Sequence, residues 1–414
     1  MKKDDQPGLV PKLRFPEFRG AGDWEERMIG DFLSESRLPG SKGNVAKKLT
    51  VKLWGNGVFG KNEAIQGSIN TQYFRRRSGQ FIYSKLDFLN QAFGVIPPNL
   101  DGFESTVDLP CFDFADGLDP VFLLEYVKRK DFYERLGETA DGSRKARRIH
   151  AETFQSFSLA LPTPGEQQKI ADCLSSLDEL IAAQARKVEA LKTHKKGLMQ
   201  QLFPREGETQ PRLRFPEFKN AGMWKSKTIG QLGEVVTGST PSTVKPEYYG
   251  GGRLFVSPAD ISDNRFIEKT KTTLTELGFR ESRTIKANSI LFVCIGSTIG
   301  KIAQNRHECA TNQQINSVVP NSDNSDEFVY YALSGVVDKI ANLAGRQAVP
   351  IVNKSLFSSV ELTVPKLQEQ NRIANCLSSL DETIFAATQE LETLKTHKKG
   401  LMQQLFPSAE AVEA

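Results

Sequence analysis

The chain contains itself twice. Residues 11–33, PKLRFPEFRGAGDWEERMIGDFL, return as 211–233, PRLRFPEFKNAGMWKSKTIGQLG. LKTHKKGLMQQLFP at 191–204 reappears unchanged at 394–407, and CLSSLDE at 173–179 reappears at 376–382. The stretches between these echoes do not match. Two alike frames around two unlike fillings describe a pseudo-symmetric scaffold that displays two different modules. A length of 414 residues agrees, being too long for one ordinary core.

The frame predicts its own architecture. From Glu166 onward, Gly and Pro become scarce and a 3-4 spacing sets in at Ile170, Leu174, Leu177, Ile181, Gln184, Val188, Leu191, Lys195, Leu198 and Leu202. Adding 203 gives Ile373, Leu377, Leu380, Ile384, Ala387, Leu391, Leu394, Lys398, Leu401 and Leu405. This is a coiled-coil seam, longer and more regular than a short globular helix needs. Each helix wants a partner, and the other copy is already present at high effective concentration, which favours an intramolecular antiparallel pair over a homodimerising coil. About 38 residues at roughly 1.5 Å each would make a rod near 57 Å with a module at either end. Lys195 and Lys398 interrupt the seam at matching positions, either as buried polar residues that set register or as a splay into solvent. Pro16 and Pro216 keep the short F-P-E-F elements extended, with their rings and Trp24 or Trp224 expected in the core.

Composition limits the function classes. The 25% of charged residues and the lack of a long apolar run argue against a membrane span. The N-terminus has lysines without a hydrophobic segment behind them, so no secretory signal is expected and a cytoplasmic location is. Five cysteines without a CxxC spacing fit a reducing compartment. A net charge of +4 does not announce nucleic acid; residues 34–160 hold 18 Lys and Arg against 15 acids, and 234–363 hold 13 against 13. Binding to a polyanion would have to come from local patches.

Both fillings read as α+β, with runs such as QFIYSKLDF and FGVIPP in the first and SILFVCIGS and INSVVP in the second. The 203-residue register extends backwards, so that GSRKARRI at 142–149 and GRQAVPIV at 345–352 occupy one slot. Expected boundaries are 1–160 for the arm and first module, 161–204 for the first spacer helix, 205–363 for the second arm and module, and 364–414 for the second spacer helix and tail.

At this point the chain resembles the specificity subunit of a type I restriction-modification enzyme over nearly its whole length. The resemblance is carried by the FPEF-to-Trp entry and the P-x-x-x-E-Q helix starts at 162–167 and 365–370. It is also carried by TGSTPSTVKPEYYGGGRLFVSPADI with GSTIGKIA and ATNQQIN, and by the THKKGLMQQLFP ends. The first filling resembles a different branch of recognition domain through WGNGVFGKN, GQFIYSKLDFLNQAFGVIP and GSRKARR. What the resemblance implies is two target recognition domains, each reading one half of a split, asymmetric site in double-stranded DNA. The paired helices would set the gap and bind two modification subunits, which use S-adenosylmethionine to methylate adenine. Restriction subunits would add translocation and cleavage with ATP and Mg2+.

Candidate DNA contacts follow from charge and amide chemistry. Arg144, Lys145, Arg147 and Arg148 form the densest basic cluster and suit phosphates or guanine. Arg75, Arg76 and Arg77 form a second cluster, and Lys85 lies in the next strand. In the second module the variable loops offer Thr240, Ser242, Tyr248, Tyr249, Lys301, Arg346 and Gln347. Asn312, Gln313 and Gln314 carry amides that suit adenine, but the resemblance places them among features shared by domains with different targets, and a buried polar network is expected instead. GSTIGKIA is not a nucleotide loop, being one residue short and having Ile302 after its lysine. His307, Cys309 and Cys294 lack the regular spacing of a zinc site. No Asn/Asp-Pro-Pro-Tyr/Phe motif or glycine-rich cofactor loop is found, so the chain is expected to be catalytically inert alone. A self-sufficient methyltransferase or nuclease, and a purely structural coiled-coil adaptor, are the alternatives.

Overall fold

The computed structural model describes residues 9–61, 67–138, 148–345 and 349–407. The chain forms two compact units, one from residues 1–185 with 389–414 and the other from 186–388. The two long helices, Pro164–Leu202 and Leu367–Leu405, are therefore each shared between the units.

In the first unit a four-stranded sheet runs in the order Leu33–Glu35, Cys111–Phe114, Phe81–Tyr83, Phe93–Val95. A three-stranded sheet (Pro39–Lys42, Gln72–Arg75, Glu104–Ser105) and a hairpin of Leu49–Val51 with Val58–Gly60 lie in the same filling. Phe81, Tyr83, Phe88, Phe93, Phe112 and Phe154 are fully buried and gather into one aromatic core. The second unit is built differently. Its five-stranded sheet runs Gly233–Thr237, Ile315–Pro320, Ile290–Val293, Ile302–Asn305, Phe266–Ile267, beside a four-stranded sheet centred on Tyr249–Val256 and Cys309–Thr311.

The frames, by contrast, coincide. Glu25–Met28 pairs with Ser158–Leu161 so that Arg27 faces Leu159, and Lys225–Thr228 pairs with Glu361–Val364 so that Lys227 faces Leu362. Arg14 grips Glu166 with two hydrogen bonds of 2.8 and 2.7 Å, and Trp24 Nε1 donates to the same carboxylate at 3.4 Å. Arg214 grips Glu369 at 2.7 Å twice, with Trp224 Nε1 at 3.2 Å. Both carboxylates are at most 2% exposed, and a charge so buried requires such a pairing. The hydrogen bond to Glu166 raises the Arg14 pKa against the opposing effect of burial.

The glutamine after each glutamate ties the helix start to its filling. Gln167 accepts from the Asp119 N–H at 2.9 Å and donates to the carbonyls of Gly117 and Pro162. Gln370 accepts from the Ser325 N–H at 3.0 Å and donates to Pro365 O and Asn324 Oδ1. Asp119 and Ser325 are themselves the N-caps of short helices. The repeated E-Q pair is thus a fastener between spacer helix and module.

All the predicted seam positions are buried or half-buried. Within the first unit the start of one long helix lies against the end of the other, Asp178 meeting Lys398 at 2.7 Å and Gln184 meeting Glu390 at 2.8 Å, so the pairing is antiparallel. Within the second unit Lys195 meets Asp381. Phe406 packs on Trp24 and Phe122, and Phe203 packs on Trp224 and Phe328, which explains why the L-F-P end is repeated. The lysines do not splay into solvent: Lys398 also pairs with Glu125 at 2.8 Å, and Lys195 lies 5.2 Å from the Tyr331 ring centroid.

Candidate nucleic-acid interface

The strand Gln72–Arg75 ends inside the Arg75–Arg77 cluster, and the alternation of sides continues past it. Successive side chains on a strand point to opposite sides, and here Arg75 and Arg77 are exposed while Arg76 is 2% exposed. The Arg76 guanidinium donates to Ser105 Oγ at 2.8 Å and to the carbonyls of Ser36 and Leu109 at 2.7 and 3.1 Å. Burial lowers its pKa. Arg76 is a structural strut and leaves the candidate set.

The basic segment at 142–149 is anchored where it ends. The Ile149 N–H donates to Lys85 O at 3.1 Å, and Tyr83 Oη donates to Ile149 O at 3.1 Å. Arg148 is exposed and loosely paired with Asp108 at 3.9 Å, while the Lys85 N–H donates to Asp108 O. Lys85 and Arg148 are thereby brought together. Arg144, Lys145 and Arg147 lie outside the described residues.

In the second unit three turns are stitched to one another. The Gly238 N–H donates to Ile315 O at 3.1 Å, the Ser239 N–H to Thr311 O at 2.9 Å, and the Cys294 N–H to Gln314 O at 2.8 Å. Only glycine fits at 238, since a Cβ there would lie 2.3 Å from the carbonyl oxygens of Thr311 and Asn312. Thr240 Oγ1 donates to Gln313 Oε1 at 2.7 Å, and Asn312 Nδ2 to Gln314 Oε1 at 3.0 Å. The Asn312–Gln314 amides are not a buried network: Gln313 is exposed and its neighbours half-exposed. They sit at a turn tip between Cys309–Thr311 and Ile315–Pro320, where side chains turn outward. Turn composition in TNQQ was the available signal for that.

The other loop candidates divide. Ser242 is exposed, but Tyr248 is buried, its hydroxyl accepting from Lys245 Nζ at 3.0 Å, and Tyr249 Oη donates to Pro241 O at 2.7 Å. Both tyrosines brace the 241–249 loop from within, and Tyr248 is removed from the surface. The hydrogen bond to Tyr248 raises the Lys245 pKa. Lys301 is exposed along its stem, with its ammonium on Ile261 O at 3.0 Å. The turn before it, with Gly296 and Gly300 at positive φ, joins two antiparallel strands and has no helix behind it to bind phosphate. Arg346 and Gln347 lie outside the described residues; Gly296 N–H donates to Pro350 O at 3.0 Å just beyond them. Burial pushes the thiols of Cys111, Cys294 and Cys309 up to about 12, which keeps them protonated.

This arrangement has known counterparts. Residues 221–396 match the family model of the type I restriction modification DNA specificity domain. The chain is similar to type I specificity subunits within and beyond that segment. It is 25% identical over 369 residues to the HindI specificity subunit of Haemophilus influenzae, covering 72% of this chain and 77% of that one. It is 28% identical over 188 residues to the MjaIX specificity subunit of Methanocaldococcus jannaschii, 44% of each chain. The fold is similar to that of the type I S subunit from M. genitalium, with a TM-score of 0.61 at 16% identity, over 97% of this chain and 100% of that one.

The two candidate surfaces differ in chemistry. Arg75, Arg77, Lys85 and Arg148 are cations suited to phosphates, whereas Thr240, Asn312, Gln313 and Gln314 carry hydroxyl and amide groups suited to base edges. The first unit also presents an exposed Trp54, which the sequence offered only as part of WGNGVFGKN. No described helix is long and apolar enough to cross a membrane.

Proposed function

We propose that this chain is the non-catalytic DNA-reading subunit of a type I complex, in which each unit recognises one half of a split, asymmetric site. One observation carries the reading: two matching fasteners, Arg14–Glu166–Trp24 and Arg214–Glu369–Trp224, hold two fillings that share neither sheet order nor surface chemistry. A scaffold that repeats its holders and varies what is held suits a molecule that must read two different sequences. The named function of its relatives supports the same conclusion.

The partners follow from that role. Two modification subunits, carrying S-adenosylmethionine, assemble on the repeated frame, and restriction subunits using ATP and Mg2+ join them; a chain of similar fold comes from a study of complex assembly in a type I system. The long helices carry the spacing between half-sites. Methylome sequencing of a host with and without this chain tests the proposal. The expected result is one bipartite motif whose methylation vanishes with the chain. Methylation by the purified chain alone would point to a hidden enzyme, and an unchanged methylome to a structural adaptor.

A further inference from the structure

The hairpin of Leu49–Val51 and Val58–Gly60 buries one face against Ile82, Ala92, Ile96 and Leu100. Its tip carries a residue with no role in that packing. Trp54 is 62% exposed, whereas the other two tryptophans are 3% and 4% exposed and hydrogen-bonded inside their frames.

Trp54 is also held with care. Its φ is +61°, a left-handed conformation that costs a bulky residue energy and persists only where the surroundings impose it. The Trp54 N–H donates to Asn90 O at 2.7 Å and the Gly55 N–H to Gln91 O at 2.9 Å; Gln91 itself has a φ of +54°. Two successive backbone bonds thus tie residues 54 and 55 to the turn at 90 and 91 and fix the main chain from which an exposed indole projects. An exposed ring on a fixed backbone is surface prepared for a partner.

Charge identifies that partner. Residues 47–61 hold Lys47, Lys48, Lys52 and Lys61 and no acid; Lys48 is buried, which leaves Lys47, Lys52 and Lys61 as the exposed cations. The Lys52 ammonium lies 5.1 Å from the centroid of Phe59, which is also exposed. The turn at 84–92 that supports the tip also carries Lys85, to whose carbonyl the segment next to Arg148 is anchored. Exposed cations on the same hairpin as an exposed ring fit a phosphate backbone with stacked bases better than they fit another protein's apolar surface.

We propose that Trp54 is a base-stacking wedge: its indole enters a base step of the half-site read by the first unit and stacks on a base, with Lys52 on the neighbouring phosphates. The inference rests on the DNA-reading role above. The test uses the full chain reconstituted with modification subunits, and duplexes that carry the methylome-defined motif with 2-aminopurine at successive adenines of that half-site. Wild type should brighten 2-aminopurine at one position on binding, and the fluorescence of Trp54 should be quenched by unlabelled duplex. Trp54→Ala should lose both signals and bind the motif about 5- to 150-fold more weakly, the range for one lost aromatic stack. Trp54→Gly keeps the left-handed backbone free of strain and should lose as much, while Trp54→Phe should retain most of the affinity. Equal binding by wild type and both truncations would overturn the wedge and leave the DNA-reading role standing. Normal DNA binding with failed capture of modification subunits would make the tip a protein contact instead. A wild-type assembly that binds no duplex would overturn both proposals.

Discussion

Six residues after its N-cap, the helix at Pro120–Val127 carries Glu125 and the helix at Asp326–Ser334 carries Tyr331. Both residues face a seam lysine. In the first unit Lys398 is held by Asp178 and Glu125; in the second Lys195 is held by Asp381 and the face of Tyr331, whose hydroxyl donates to Asp381 at 2.6 Å. The Lys-to-Asp contact is common to both copies, and only the partner supplied by the filling differs. The frame therefore accepts any filling that brings something favourable to a cation, an acid or an aromatic face. That tolerance is what an exchangeable reading module requires.

Exchange of residues 34–160 for an unrelated recognition domain is the most drastic way to test this independence. It should replace one half of the methylated motif and leave the other half and the spacer unchanged; alteration of both halves would mean that the units do not read separately. Breaking the fasteners comes next. Glu166→Ala and Glu369→Ala each take the carboxylate from a half-buried arginine that keeps its backbone carbonyls, and should cost about 1–3 kcal/mol in chemical denaturation. Comparable losses at the two sites are expected, and a large inequality would show that matching contacts hide unequal stability.

The seam lysines sharpen the contrast. Lys398→Met leaves Glu125, which is 3% exposed at its side chain, with Lys128 as its cation and should cost on the order of 3 kcal/mol. Lys195→Met leaves Asp381 bonded to the Tyr331 hydroxyl and should cost about 1 kcal/mol. Their acid responses should differ as well. Burial alone would raise the Glu125 pKa, but Lys128 and Lys398 outweigh it and hold it below its ordinary value of 4.5. A depressed carboxylate contributes stability that is complete above its unfolded pKa and lost as pH falls through its folded one. The first unit should thus lose this contribution below about pH 4.5, and Lys398→Met should weaken or reverse the dependence, as followed by unfolding at several pH values. Lys398 is raised because those acids overcome the lowering effect of its burial.

Effects on DNA binding separate the two surfaces. Gln313→Ala should relax discrimination at a single base pair by about 1–3 kcal/mol, read from competition among variant duplexes. Arg148→Ala should weaken all sequences alike and reduce the salt slope by about one unit. A base-specific loss from Arg148, or a uniform one from Gln313, would reverse the assignment of phosphate and base contacts.

The sequence by itself determined the frame. A repeat of 203 residues displays each fastener twice, and the 3-4 spacing marks the seam because a helix buries one stripe whatever surrounds it. It also drew attention to the slot that ends at Arg148 and Ile149. Only the tertiary structure decided which polar residues face outward. Arg75 and Arg77 emerge while Arg76 turns into a nest of carbonyls; Tyr248 is buried although Gln313 is not; Trp54 stands exposed because a turn nearly 40 residues away fixes its backbone. These outcomes depend on contacts between residues distant in the chain, and a local pattern contains no term for them. The equivalence of Glu125 and Tyr331 was hidden for the same reason: no sequence likeness links an acid to a phenol, and their shared place is set by the lysine that both must face.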